Sequence, residues 1–179
     1  DNVNKHYSLS NNITLNGIYL YQYLLGRGYD PFLIHNFAIS NLEETVKERP
    51  LAACISSNFI VLDDIKHMAS EIKRIDTDIA VIVGGMLVKR LLDPGEDLTS
   101  KYKNSLTSFH GKVDAFIIEA QGEQTLIRVL DSLSNGGRLE SVPNLGIFDD
   151  RGKLRFTPRE QEDLPMDETT IAWHKIPKA

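Results

Sequence analysis

Three short segments concentrate the residue types that could do chemistry. They are "SSNF" at 56–59, "GGML" at 84–87 and "EAQGEQT" at 119–125. Each is small or polar, and each follows a run of apolar residues. Ser56, Ser57 and Asn58 can donate and accept hydrogen bonds. Gly84 and Gly85 let a bulky group lie against bare backbone. Gly122 and Glu123 open a helix whose first N–H groups have no partner within the helix and so suit an anionic or amide-bearing group. Phe59, Met86, Ala120 and Gln121 complete these segments. Leu15 belongs with them, because the N-terminal loop before Ile13 is expected at the same place.

The familiar phosphate chemistries are excluded by spacing. No G-x-G-x-x-G follows a strand, no G-x-x-x-x-G-K-[ST] occurs, and no G-x-S-x-G nucleophile elbow is present. A phosphoacceptor receiver domain needs an Asp where this chain has Ser56-Ser57, and a Lys where it has Glu119. The single cysteine, Cys54, excludes an intramolecular disulfide and any cysteine cluster within these residues, and it fits a reducing, cytoplasmic setting. Cys54 lies in an apolar run and is expected to be a small buried hydrophobe. Of the five histidines, His35, His67, His110 and His174 have no partner at ligand spacing. His6 sits in a loop that could lie over the sheet edge, where an imidazole nitrogen could serve as an axial metal ligand. Net charge is -5 at pH 7, which argues against a large nucleic-acid footprint. No apolar run approaches the roughly 18 residues of a membrane span.

The elements that must hold these segments follow from periodicity. Asn11 and Asn12 are set to cap a helix from near Ile13, with Ile18, Tyr21, Leu24 and Leu25 on one face and Gly26 and Gly28 ending it. "PFLIHNF" (31–37) predicts a short strand, and "NLEETVKER" a polar helix capped by Asn41. "LAACIS" (51–56), "IAVIV" (79–83) and "VDAFIIE" (113–119) are continuous apolar runs, as in parallel strands buried on both faces. Leu62, Ile65, Met68, Ala69, Ile72 and Ile75 recur at three and four, with Asp63 and Asp64 in the first turn. Met86 to Leu92 is a short helix, and residues 96–111 an irregular insertion. Leu126, Ile127, Leu130 and Leu133 mark a helix that Gly136-Gly137 ends.

Alternation of strand and helix implies an α/β fold with a doubly wound parallel sheet, Rossmann-like or flavodoxin-like. Its ligands would sit outside the carboxyl ends of the strands. The first strand is missing from the pattern, and is expected either in "DNVNKHY" or before residue 1. The expected organisation is an α/β domain over 1–142, followed over 143–179 by a hairpin at Asp149-Asp150-Arg151-Gly152 and an extended linker. The charge cluster "REQEDLPMDE" is expected to be a solvated part of that linker.

The ordered set "CISSNF", "IAVIVGG", "VDAFIIEAQGEQTL", "SVPNLGIFDDRGKL", "EDLPMD" resembles the N-terminal cobalamin-binding domain of B12-dependent radical SAM enzymes. The resemblance covers about residues 13–167 and implies a B12-binding type of fold. It implies that Ser56, Ser57, Gly84, Gly85, Gly122 and Glu123 line a corrinoid and its nucleotide tail. "EAQGEQT" departs from the family's double "GEGE", which affects Gln121. The D-x-H-x-x-G motif of other B12 carriers is absent, and so is the radical SAM motif C-x-x-x-C-x-x-C. By the resemblance the chain is inert alone. Its partners are the corrinoid and a radical SAM domain of its own parent, which carries the 4Fe-4S cluster and S-adenosylmethionine. The parent chemistry would be methyl transfer or another radical step. Two alternatives stay open: a cofactor-free docking or substrate-recognition domain of the same fold, and a flavin-binding flavodoxin-like module.

Overall fold

A computed structural model of the chain describes residues 15–34, 39–58, 60–92, 105–119 and 121–163. The elements are α1 (Leu15–Leu25), α2 (Ile39–Lys47), β1 (Ala52–Ser56), α3 (Leu62–Ile75), β2 (Ala80–Gly84), α4 (Met86–Leu92), β3 (Ala115–Ile117), α5 (Glu123–Ser134), a 3-10 turn (Leu139–Ser141), β4 (Leu145–Phe148) and β5 (Leu154–Phe156). The five strands form one sheet in the order β1-β2-β3-β4-β5. β1, β2 and β3 run parallel, with Ser56 opposite Gly84 and Val83 opposite Phe116. β4 and β5 are antiparallel additions, and β4 pairs directly with β3. The fold is α/β, with the hairpin of residues 145–156 built into the sheet.

The period-two alternation of β2 explains why both faces carry helices. Val81 and Val83 face α2, α3 and α4 in one apolar cluster that includes Leu42, Ile65, Met68, Ile72, Val88 and Phe116. Ala80 and Ile82 face α1 and α5 in a second cluster with Leu24, Ile117, Leu126, Val129 and Leu145. All four residues of β2 before Gly84 are buried, as its unbroken apolar run requires. α3 buries Ile65, Met68, Ala69 and Ile72, with Asp63 and Asp64 in its first turn and Lys73 and Arg74 in its last. At the amino ends of the strands, Lys73 Nζ pairs with Asp114 Oδ2 at 2.8 Å, and the same oxygen accepts from Val81 N at 2.6 Å. That tie fixes the start of β2, so its other end presents Gly84 and Gly85 at the sheet's carboxyl edge.

Several expectations need correcting. Residues 31–34 form no strand, and Phe32 is 61% exposed. Pro31 has no N–H for a ladder; residues 35–37 of that prediction lie outside the described residues. β1 is not buried on both faces: its residues are half-buried and Cys54 is exposed. β1 ends the strand order among the described residues, and one of its faces looks into an open cleft. α2 begins at Ile39, so Asn41 lies within the helix instead of capping it. In α1 the buried residues are Ile18, Tyr23 and Leu24, while Leu25 is 38% exposed. The end of the "REQEDLPMDE" cluster's first half is not a solvated linker, since Glu162 is 6% exposed. The expected caps Asn11 and Asn12, and most of the insertion, lie outside the described residues.

Candidate functional site

A cleft of about 110 Å3 opens at the carboxyl ends of β1, β2 and β3, between α1 and the start of α5. Ile82, Gly84 and Ile117 form its floor. Asn16 and Leu20 stand on the α1 side, Glu123 and Leu126 on the α5 side. Ser56, Asn58, Gly85, Met86, Gln121 and Gly122 reach it from the loops. Cys54, Ile55 and Glu119 complete it among the described residues. Cys54 is accessible there, yet the surrounding walls restrict solvent about its thiol and push its pKa up to about 12.

Gly84 follows Ile82 on the same face of β2, and a Cβ there would lie 3.4 Å from the Ile117 Cβ. That is ordinary contact, so the fold would accept a small side chain at Gly84. A large one would fill the cleft. Gly85 is different. Its φ is +107°, and a Cβ would meet Asn58 Oδ1 at 2.6 Å and Ser57 Oγ at 3.0 Å. Those atoms are there because they cap α4: Asn58 Oδ1 accepts from Met86 N at 2.8 Å, and Ser57 Oγ accepts from Val88 N at 3.3 Å. Ser57 is 1% exposed and lies beneath the cleft, outside its lining. Ser56 Oγ does line it, and accepts from Asn16 Nδ2 at 2.8 Å, which ties α1 to the end of β1.

The start of α5 contradicts the idea of open N–H donors. The Glu162 carboxylate accepts from Gln124 N and Thr125 N, both at 2.9 Å, and from the Thr125 hydroxyl. This carboxylate returns from beyond the hairpin. Asn144 clamps the returning strand: its Nδ2 donates to Glu160 O at 2.8 Å and its Oδ1 accepts from Glu160 N at 2.8 Å. Arg128 and Glu160 add an exposed ion pair at 2.6 Å. Gly122, with φ +68°, has no room for a Cβ either, since one would lie 2.9 Å from Ile117 Cγ2.

Glu123 is therefore beside a second carboxylate and partly desolvated. Its Oε2 is buried without a hydrogen-bond partner among the described residues. Desolvation, with Glu162 adding repulsion, raises its pKa to about 7, against the lowering effect of its own backbone N–H. At neutral pH a large share of Glu123 carries a proton that a ligand oxygen could accept. Among the described residues no lysine, arginine or histidine lines the cleft.

Of the sequence candidates, the fold brings together Ser56, Asn58, Gly84, Gly85, Met86, Gln121, Gly122 and Glu123. His6, Phe59 and Ala120 lie outside the described residues, as does the Leu15 side chain. No group of three His, Cys, Asp or Glu residues at metal-binding geometry occurs among the described residues. Sequence reasoning missed Asn16, Cys54 and Glu162. Asn16 carried a signal, being polar four residues before Leu20 on an otherwise apolar helix face. Glu162 carried none at the level of local pattern.

No family model matches the chain, and no curated protein matches it. Among solved structures it is similar to a radical S-adenosylmethionine methyltransferase, TsrM, from Kitasatospora setae. In the structure of TsrM with cobalamin and a 4Fe-4S cluster bound, the TM-score is 0.64 at 16% identity, over 90% of this chain and 29% of that one. In the structure with tryptophan substrate and the analogue aza-SAM, the TM-score is also 0.64 at 16% identity, over 82% and 28%. At that identity the likeness is one of fold, and the chain spans less than a third of the length of the TsrM chains.

Proposed function

We propose that the chain binds cobalamin, as one module of a larger B12-dependent radical SAM enzyme. The observation that carries this reading is the cleft at the carboxyl ends of three parallel strands with Gly84 in its floor. The fold likeness to a chain that holds cobalamin supports it, and so does the order of the motifs in the sequence. A domain that had lost its ligand would be expected to fill this space with its own side chains. Among the described residues Gly84 leaves the floor bare, and Met86 is 49% exposed at the rim.

The dimensions limit what enters. Sites that enclose a drug-sized ligand measure roughly 300–1,000 Å3, and this cleft is about 110 Å3. A space of this size would take a part of a corrinoid, such as an amide arm or the base of its tail, and not the whole of it. Ile82, Ile117, Leu20 and Leu126 supply apolar walls for such a flat base. Asn16, Ser56, Asn58 and the protonated Glu123 supply hydrogen bonds for amide arms. The bound corrinoid would supply a cobalt centre for group transfer; this chain's residues bind, orient and exclude water. His6, outside the described residues, would be one candidate to hold the cobalt, and an apolar or water-filled face with no protein ligand is the favoured alternative. The partner would be a radical SAM domain in the same parent protein, carrying the 4Fe-4S cluster and S-adenosylmethionine, with methyl transfer or a related radical step as the reaction. The test is to incubate the purified chain with hydroxocobalamin and pass it through gel filtration. Co-elution of the red pigment with the protein supports the reading. Complete loss of pigment at high protein concentration overturns it.

A further inference from the structure

We infer that Glu123 is the specificity-determining residue of the cleft: its carboxyl group takes a neutral amide by donating a hydrogen bond to the amide oxygen, so that amide binding draws a proton onto the protein. The inference rests on the reading of the cleft as a ligand site, and it goes on to the ligand group that the α5 side selects.

Glu123 lines the cleft, and its Oε2 is the one buried side-chain polar atom without a hydrogen-bond partner among the described residues. Buried polar groups are nearly always paired, so an orphan on a residue that lines a cleft marks a place where a ligand completes the pairing. This oxygen is closed off from water as it stands. The terminal bond of a glutamate turns over a broad range, and a turn about it can bring the oxygen to the cleft. The backbone around it is held. Gly122 sets the turn before Glu123 at a φ of +68°, and the next two amides, Gln124 N and Thr125 N, are both bonded to the Glu162 carboxylate. The side chain of Glu123 is the part left free to adjust.

The groups around Glu123 decide which form it takes. Glu119, from the loop after β3, lines the cleft with it. Glu162, from the segment beyond the hairpin, stands outside the lining and repels a charge on Glu123. β1 contributes the Cys54 thiol, kept neutral by burial. α1 contributes Asn16 and Leu20, and α4 contributes Met86, none of them charged. No basic side chain lines the cleft among the described residues. Burial first, and the repulsion of Glu162 second, hold the proton on Glu123 up to about pH 7. An anion entering this space would meet carboxyl groups with no cation to offset its lost hydration. A cation would leave water for the apolar walls of Leu20, Ile82, Ile117 and Leu126, and would have to drive the proton from Glu123. A neutral amide needs neither, because its oxygen accepts from the acid as it stands.

Benzamide, benzoate and benzamidine share one flat ring and differ in charge. Each is titrated into the chain at pH 6 and at pH 8, at equal ionic strength, and followed by the amide NMR signals of Gly84 and Gly122, both in the cleft. Benzamide should bind ahead of both charged analogues at pH 6. It should bind about tenfold more weakly at pH 8, as the protonated share of Glu123 falls. Glu123→Gln should take benzamide equally well at both pH values, because its amide donates at either. Glu123→Leu should bind benzamide about fivefold more weakly at pH 6. Glu119→Gln should keep the tenfold loss between the two pH values. Benzamide affinity that is flat with pH in the wild-type chain, a pH dependence that survives in Glu123→Gln or vanishes in Glu119→Gln, or a preference for benzamidine at pH 6 overturns the inference. The absence of any saturable benzamide response does so too. The hydroxocobalamin experiment fails separately. Pigment lost with the benzamide result intact removes the corrinoid and leaves the selectivity of Glu123 standing. Pigment kept with no benzamide response removes the role of Glu123 and leaves the corrinoid.

Discussion

The two glycine turns that rim the cleft look alike in sequence and differ in how they are held. At Gly84-Gly85 and at Gly122-Glu123, the glycine with positive φ is demanded by the turn itself. Gly85 would strike Asn58 and Ser57, and Gly122 would strike Ile117. In each, the neighbouring residue faces the cleft. The difference lies in the caps. The start of α4 is capped by uncharged groups, Asn58 and Ser57, from the loop just after β1. The start of α5 is capped by a carboxylate from beyond the hairpin, 37 and 38 residues away. The first turn is thus complete once β1 and β2 pair. The second depends on β4, β5 and the returning segment, which sets a buried carboxylate on the helix start.

The largest expected effect breaks the first turn. Gly85→Ala should destabilise the domain by about 2–4 kcal/mol, from left-handed strain plus the clash with Asn58; urea unfolding followed by circular dichroism measures it. Loss of binding in that variant would say nothing about a ligand, because the turn fails first. Next comes the second turn. Glu162→Ala should cost about 1–3 kcal/mol, from the lost cap and the donors left buried. Hydrogen exchange should quicken at Gln124 and Thr125 while the start of α4 stays protected. Equal loss of protection at both helix starts would mean that the two turns are one cooperative unit.

The smallest effect sharpens the comparison by pH. The folded-state pKa of Glu123 is raised from 4.5 to about 7. Below the lower value the proton is bound in both states. Between them the unfolded chain ionises while the folded chain keeps its proton, so stability falls as pH rises through about 7. Glu123→Gln should remove that decline and be the more stable protein above pH 7, by melting midpoint. A wild-type profile that is flat, or that rises across this window, would mean that Glu123 is ionised and solvated.

Much of this was legible in sequence, and the reasons are local. The parallel run of β1 to β3, the amphipathic α3, α4 at Met86 to Leu92, and the stop at Gly136-Gly137 all rest on hydrophobic period or backbone restriction. The rim segments were found because polar residues followed buried strands. What was missed depended on distant partners. "PFLIHNF" has strand composition, but residues 31–34 pair with no strand. Cys54 lies in an apolar run, but the face of β1 it occupies looks into the cleft. Glu162 belongs to a charged stretch with no period, and only the fold of the hairpin carries it back to α5.

Gly84 offers the most direct test of the whole account, because it separates room from architecture. Among the described residues its side-chain position meets only Ile117, at ordinary contact distance. Gly84→Leu should fold, with melting and circular dichroism close to wild type, and should lose hydroxocobalamin on gel filtration while the wild-type chain keeps it. Equal retention of the pigment by both proteins would show that the cleft over Gly84 is not where the ligand lies.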